Sequence, residues 1–249
     1  MSGTKVAVVG AGGRMGRAAC AAVEAADDLE LVGRFGRTDE LGDLAGADVA
    51  VELTVPDASP ATVAHCVGRG VHVVVGTSGW DEERLGRLRD QLEEAPGVGV
   101  LVAPNFAVGA VLMMELARRA APFFESVEIL EMHHPDKVDA PSGTAARTAE
   151  LVAEARSHAG VPPAPDATAR DPDGARGARL HGVPVHSVRL RGLVAHQEVL
   201  LGNPGEVLTL RHDSLERSSF MTGVLTGVRR VAEHPGLTVG LEHYLGLDA

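Results

Sequence analysis

A β-branched run, Lys5–Val9, breaks off at Gly10, and an Ala-rich, helix-forming stretch, Arg14–Ala26, begins four residues later. The link between them is Gly10-Ala11-Gly12-Gly13-Arg14-Met15-Gly16. Glycine lets a backbone turn tightly and approach a ligand at distances that a Cβ forbids. A turn of this kind places the free N–H groups of a helix start beside the end of a buried strand, where an anion is held. The spacing reads G-x-x-G-x-x-G, not the usual G-x-G-x-x-G, because position 15 is Met. A glycine-rich turn alone can be only a turn. Between a first strand and a first helix, it sits where a dinucleotide pyrophosphate would bind.

The pattern then repeats. Leu29–Phe35 reads as a second strand, and Val49–Val55 as another stopped by Pro56. His72–Val75 runs into Gly76-Thr77-Ser78-Gly79, and Asp81–Glu94 opens with acids in its first turn, as a helix should. Val98–Ala103 is a strand ended by Pro104, and Val108–Ala121 is an apolar helix. Such alternation predicts a parallel sheet covered by helices on both faces. The strand ends at Gly76-Thr77-Ser78 and Ala103-Pro104-Asn105-Phe106 belong to its carboxyl edge, where ligands bind in open α/β sheets. After about residue 125 the pattern changes. Val127–Met132 reads as a strand, Thr144–Ala159 as a helix, and Val161–Arg179, rich in Pro, Gly and Asp, as a long loop. Val185–Leu190, His196–Leu201 and Val207–Arg211 resemble adjacent antiparallel strands, the last two split by the turn signal Gly202-Asn203-Pro204-Gly205. Phe220–Glu233 reads as a closing helix that returns to the first domain.

Composition narrows the partners. The 249 residues carry 23 basic and 34 acidic side chains, a net charge of −11, which opposes non-specific binding to nucleic acid or an anionic membrane. Any anionic ligand needs a local cluster of positive charge. The two cysteines, Cys20 and Cys66, fall in helical stretches and make neither a disulfide framework nor a metal site. MSGTKVAVVGAGG lacks the basic and long apolar regions of a secretory signal, and no apolar run reaches the length of a membrane span. A cytoplasmic location is expected.

Chemistry concentrates in Glu131–Ala145, EMHHPDKVDAPSGTA. Adjacent histidines at an extended strand end point to opposite sides, so His133 and His134 do not grip one metal together, and no metal site is expected. An anion-binding and proton-transfer site fits better. His133 or Lys137 can donate a proton, since both residue types are tuned toward neutral pH by their surroundings. Ser142, Gly143 and Thr144, at a helix start, offer backbone and hydroxyl donors to a carboxylate, although Ser142 or Thr144 can equally be a plain cap. Asp139 orders the loop and does not react.

This segment, with GAGGRMG at Gly10–Gly16, VVGTSGW at Val74–Trp80, APNFAVGA at Ala103–Ala110, GVPVHSVRLRGLVAHQEV at Gly182–Val199 and RHDSLERSSF at Arg211–Phe220, closely resembles the 4-hydroxy-tetrahydrodipicolinate reductase (dihydrodipicolinate reductase) family over nearly the whole chain. The resemblance implies an α/β fold, with a Rossmann-like dinucleotide-binding domain (1–106 and 217–249) and an α+β domain for substrate binding and tetramerisation (107–216). It implies NADH or NADPH held by Gly10, Ala11, Gly12, Gly13, Arg14, Met15, Gly76, Thr77, Ser78, Ala103, Pro104, Asn105 and Phe106. The substrate would be a cyclic imine dicarboxylate. His133 and Lys137 match the family's proton donors, and His134, Gly143 and Thr144 its substrate contacts. Asp136 departs from the histidine or asparagine common there, and Ser78 from threonine.

Cofactor preference turns on the end of the second strand, Gly33-Arg34-Phe35-Gly36-Arg37. An acid there would hold the ribose 2′-OH of NADH. Gly36 and Arg37 stand there instead, so Arg37 can pair with a 2′-phosphate, helped by Arg14, while Asp39 and Glu40 weigh the other way. Use of both cofactors is expected, with a lean toward NADPH. The competing readings are a semialdehyde-type dehydrogenase, which needs a reactive cysteine, and a nicotinamide-binding sensor without turnover.

Overall fold

The computed structural model describes residues 3–247, and they form two compact units. One comprises the chain up to Val108 and from Arg217 onward; the other is Gly109–Glu216.

The chain runs through β1 (Thr4–Val9), α1 (Arg14–Glu24), β2 (Leu29–Phe35), β3 (Val49–Glu52), α2 (Ser59–Gly68), β4 (His72–Val75), α3 (Glu82–Glu93), β5 (Gly99–Val102) and α4 (Val108–Ala120). It continues through β6 (Ser126–His133), α5 (Gly143–His158), β7 (Ala178–Leu180), β8 (Val183–Arg189), β9 (Ala195–Asn203), β10 (Glu206–Ser214), α6 (Met221–Arg230) and β11 (Gly236–Val239).

In the first unit the strands pair in the order β11-β5-β4-β3-β1-β2, all parallel. Val6, Ala7 and Val8 have no exposed surface, as expected of a strand covered on both faces. Helix α3 shows how such a cover is built. Asp81 caps it by accepting from the Arg84 N–H at 2.9 Å, Glu82 and Glu83 sit at its positive end, and Leu85, Leu88 and Leu92 make its buried stripe. From β1 the chain goes to β2 on one side and then to β3 on the other, so β1 and β3 flank the point where the winding reverses. Beyond the carboxyl ends of that pair an open sheet has its binding crevice. Strand β3 stops short of the expected Val55, because the Glu52 carboxylate takes the Thr54 N–H at 2.9 Å and turns the backbone out of the ladder.

In the second unit the order is β10-β9-β6-β8-β7. This corrects the expectation that β8 and β9 are neighbours: β6 lies between them, antiparallel to β9 and parallel to β8. The parallel pair follows from the α5 crossover, since only a long connection can bring a strand back in the same direction. The long loop ahead of the short edge strand β7 is tied by ion pairs of Asp166 with Arg176 and Arg179. Along β6, Val127, Ile129 and Glu131 face inward in strict alternation, and Ile129 joins Val152 of α5 and Val199 of β9 in the core. Truncating Ile129 to Ala removes buried methylene groups from the centre of that core and should cost about 2–5 kcal/mol, read as a lower urea midpoint by circular dichroism.

Candidate active site

The glycine loop follows β1 directly. Gly10 has φ +88°, and a Cβ there would lie 2.2 Å from the Leu53 carbonyl oxygen of the neighbouring β3 loop. A Cβ on Gly16 would lie 2.1 Å from the Gly10 carbonyl, so these two glycines are required by backbone packing. Gly12 is different: nothing lies within 4 Å of its Cβ position, and the loop faces open space there. Gly13 caps α1 without a side chain, and no acid stands in the first turn. The helix therefore presents its positive end to a ligand.

Two cavities adjoin this loop. A cavity of about 450 Å³ is lined by Gly10, Gly12 and Gly13 together with Gly36, Arg37, Asp39 and Thr54. A second, about 380 Å³, is lined by Gly13, Arg14 and Met15, by Thr54, by Gly76, Thr77 and Ser78, and by Arg217. Arg37 lines the first of these cavities and Arg14 the second, and the two cavities share Gly13, Leu53 and Thr54. The Asp39 carboxylate accepts the Gly36 N–H at 2.7 Å and so belongs to the turn. Ala11, Ala103, Pro104, Asn105 and Phe106 line neither cavity. Ala103 and Phe106 are buried, Asn105 Oδ1 accepts the Ala107 N–H at 2.8 Å, and a Cβ on Gly76 would collide with the Phe106 ring. That segment supports Gly76 from behind.

The second unit brings the other set together. His133 ends β6, and Ser142 caps α5, its hydroxyl accepting the Ala145 N–H at 3.2 Å. Between them lies Glu131, which has no exposed surface. Arg189 of β8 grips both of its oxygens at 2.8 Å, His133 Nδ1 lies 2.6 Å from Oε2, and the Ser142 N–H donates to Oε1 at 3.1 Å. Burial works to raise the Glu131 carboxyl, but hydrogen bonds from Arg189, Ser187 and His133 outweigh it, and the group ionises more readily than usual. Burial pushes the His133 imidazole down, reinforced by the Lys137 and Arg189 charges and opposed by the bond and charge of Glu131. With Nδ1 held on a carboxylate, the proton that His133 can gain or lose is the one on Nε2.

Lys137 is held by Asp139, its Nζ 2.7 and 2.9 Å from the two carboxylate oxygens, while the Asp139 backbone carbonyl accepts from Arg189. The ordering role expected of Asp139 thus has a geometry. Ser142 departs from expectation: its N–H is taken by Glu131 and its hydroxyl by the cap, while the next residue, Gly143, faces open space. The first turns are fixed from below, where Gln197 Nε2 donates to Thr148 Oγ1 at 2.8 Å and Thr148 Oγ1 to the Thr144 carbonyl at 2.7 Å. His134, just past the strand, is partly exposed.

The sequence reading missed Glu131, Arg189 and Glu52. Glu131 had a visible signal, an acid at the inward position of an alternating strand; Glu52 ends a fully buried one. Both thiols are poor nucleophiles. Burial raises Cys20, while burial and the Glu52 charge push Cys66 up to about 12, which counts against acyl transfer.

A doubly wound parallel sheet with a glycine cradle, joined to a unit bearing a histidine–lysine segment at a helix start, defines a nicotinamide-nucleotide oxidoreductase. Family models described as "Dihydrodipicolinate reductase, N-terminus" and "Dihydrodipicolinate reductase, C-terminus" match residues 4–106 and 109–245. The chain belongs to the dihydrodipicolinate reductase family. It is 62% identical to the 4-hydroxy-tetrahydrodipicolinate reductase of Streptomyces coelicolor over 100% of both chains, and 59% identical to that of Cutibacterium acnes over 98% of this chain and 99% of the other. Among solved structures, the dipicolinate-bound dihydrodipicolinate reductase of Paenisporosarcina sp. superposes with a TM-score of 0.84 at 38% identity, covering 97% of this chain and 99% of that one. The diaminopimelate dehydrogenase of C. glutamicum, at 15% identity and a TM-score of 0.55, covering 97% of this chain and 94% of that one, shares the fold alone.

The Glu131 cluster makes opposite demands on two variants. Glu131→Gln removes the charge that favours the imidazolium and should lower the His133 midpoint; Arg189→Met removes a repelling cation and should raise it. Titrating the His133 ring protons by NMR in both variants reads the two directions, and shifts of the same sign would contradict the assigned couplings.

Proposed function

We propose that this chain reduces 4-hydroxy-2,3,4,5-tetrahydrodipicolinate to tetrahydrodipicolinate with NAD(P)H, with loss of water, in diaminopimelate and lysine biosynthesis. The observation that carries the reading is 62% identity over the whole length with a reductase of that name. The protein is an oxidoreductase that uses a nicotinamide nucleotide. Its first unit fits that group: Gly12 leaves open space above a helix end free of acids, and two cavities adjoin the glycine loop. Gly10–Met15 and Gly76–Ser78 would hold it, with Ala103–Phe106 behind. When bound, the reduced nicotinamide supplies the hydride.

The chain's own residues do the rest. His134, Gly143 and Thr144 take the substrate carboxylates, with Ser142 holding the helix start in place. Hydride addition to a carbon conjugated with the imine moves electron density onto that system, and a proton must complete the reduction. Lys137 Nζ and His133 Nε2 are the donors. The substrate's negative charges favour the imidazolium, so substrate binding offsets the burial that lowers His133 in the free protein. A catalytic histidine–lysine pair beside a carboxylate cradle has no use in a cofactor sensor.

The same reading includes a homotetramer in the cytoplasm, acting on a small dicarboxylate. Val207 and Leu208, exposed on edge strand β10, offer apolar surface for association. Among the described residues, no helix is long and apolar enough to cross a membrane.

Lys137→Ala should lower turnover by at least about ten- to hundredfold, the worth of a charge-assisted hydrogen bond, and more if it is the proton donor. Steady-state assays at 340 nm with the preceding synthase's product test this; near wild-type rates at saturating substrate would remove Lys137 from the mechanism. The lean toward NADPH rests on Arg37, which lines the 450 Å³ cavity together with Asp39. Arg37→Ala should reduce kcat/KM for NADPH by about tenfold and change that for NADH less, measured at low salt. An unchanged ratio would show that Arg37 does not read the 2′-phosphate.

A further inference from the structure

Glu52 is the second carboxylate with no exposed surface, and among the described residues it forms no ion pair. Its partners are neutral. Oε1 accepts the Thr54 N–H at 2.9 Å, the Thr54 hydroxyl, and the Thr77 hydroxyl at 3.0 Å. Oε2 accepts the Ser59 hydroxyl at 2.6 Å, and Ser59 Oγ in turn accepts from Trp80 Nε1 at 3.2 Å. Glu52 therefore ties together the loop after β3, the start of α2 and the loop after β4. Thr54 and Thr77 both line the 380 Å³ cavity.

A hydroxyl has one hydrogen and two lone pairs. Once that hydrogen is given to a carboxylate, the group can offer a ligand only lone pairs. We propose that Glu52 is a positioning residue that sets the hydrogen-bonding polarity of the two threonines in this cavity's wall, turning Thr54 and Thr77 into acceptors for donor groups of the nicotinamide nucleotide. Those donors are sugar hydroxyls or the carboxamide N–H, and not phosphate oxygens, which would be refused by an acceptor. The anionic part of the nucleotide is thereby left to the N–H groups of the glycine loop and α1 and to Arg14 and Arg217, the cations that line the same cavity. The inference rests on the reading of this unit as the nucleotide site.

The substitutions that test it follow from the two oxygens. Glu52→Gln can place its carbonyl oxygen where Oε1 meets three donors and turn its amide toward Ser59, so it keeps both threonines oriented. Glu52→Met keeps the length and removes the acceptor. Kd for NADPH, measured by calorimetry, should rise about tenfold in Glu52→Met, the scale of one net hydrogen bond to a ligand. It should stay within about twofold of wild type in Glu52→Gln, while the emission of Trp80, the only tryptophan, shifts because the Ser59 bond is altered. Thr77→Val should also weaken binding, and adding it to Glu52→Met should cost little more, because both remove the same oriented acceptor. In steady-state assays the loss should fall on the KM for NADPH more than on kcat.

An unchanged Kd in Glu52→Met, or Glu52→Gln as weak as Glu52→Met, would overturn the proposal; the latter outcome would assign the effect to charge. Should Glu52→Met fail to fold, Thr77→Val decides, and binding equal to wild type overturns it. Wild-type protein that binds no NADPH would instead overturn the reading of the nucleotide site.

Discussion

A carboxylate sealed from water must be answered by enough donors, and at Glu131 they come from three separated stretches of chain. Arg189 reaches it from β8, 58 residues away, Ser142 from the start of α5, and His133 from the end of the same strand. Removing one partner of such a cluster leaves a buried group uncompensated at about 3–5 kcal/mol, so the three segments hold their places together. The position of His133 relative to Gly143 and Thr144 follows from that. Along the chain, the end of β6 and the start of α5 are separated by the loop of residues 134–141.

Each unit contains a carboxylate at or near a strand end with no surface in contact with solvent: Glu52 ends β3, and Glu131 lies two residues short of the end of β6. The two are satisfied by different chemistry. At Glu131 a guanidinium takes both oxygens, and its positive charge then helps hold His133 below its ordinary value. At Glu52 neutral hydroxyls and an amide do the work, and no cation is spent. The guanidinium makes its site electrostatically active, because a buried charge acts on its neighbours through a poorly screening medium. The hydroxyls make theirs directional, since what they give to the carboxylate they no longer have to give to a ligand.

Much of this was legible in the sequence. Strand β2 falls on the residues expected, and α3 and α5 within a residue or so, because caps and apolar periodicity are local signals. The glycine loop was legible for the same reason: Gly10 and Gly16 answer to sterics a few residues away. The order of strands in the second sheet was not, since β6 inserts between β8 and β9 through contacts distant in sequence. His133, Lys137, Ser142, Gly143 and Thr144 could be selected by residue type and proximity. Glu131, Arg189 and Glu52 could not, because their roles depend on partners that only the folded chain supplies. An acid in an inward register is the one trace they leave.

The charge balance bears on how such a site takes a dianion. In a chain of net charge −11, the cations near His133 are already paired, Arg189 with Glu131 and Lys137 with Asp139. The two pairs differ in what they can release. Glu131 is fully buried and bonded on both oxygens, so Arg189 stays where it is. The Asp139 side chain is about half exposed (52%), and an ion pair with one partner in water is worth little. On the reading proposed above, Lys137 is therefore released from Asp139 toward the bound substrate at small cost, while the freed Asp139 is solvated. On the proposed mechanism, Asp139 keeps the ammonium placed until the substrate arrives, and the exchange aligns the proton donor only when there is something to protonate.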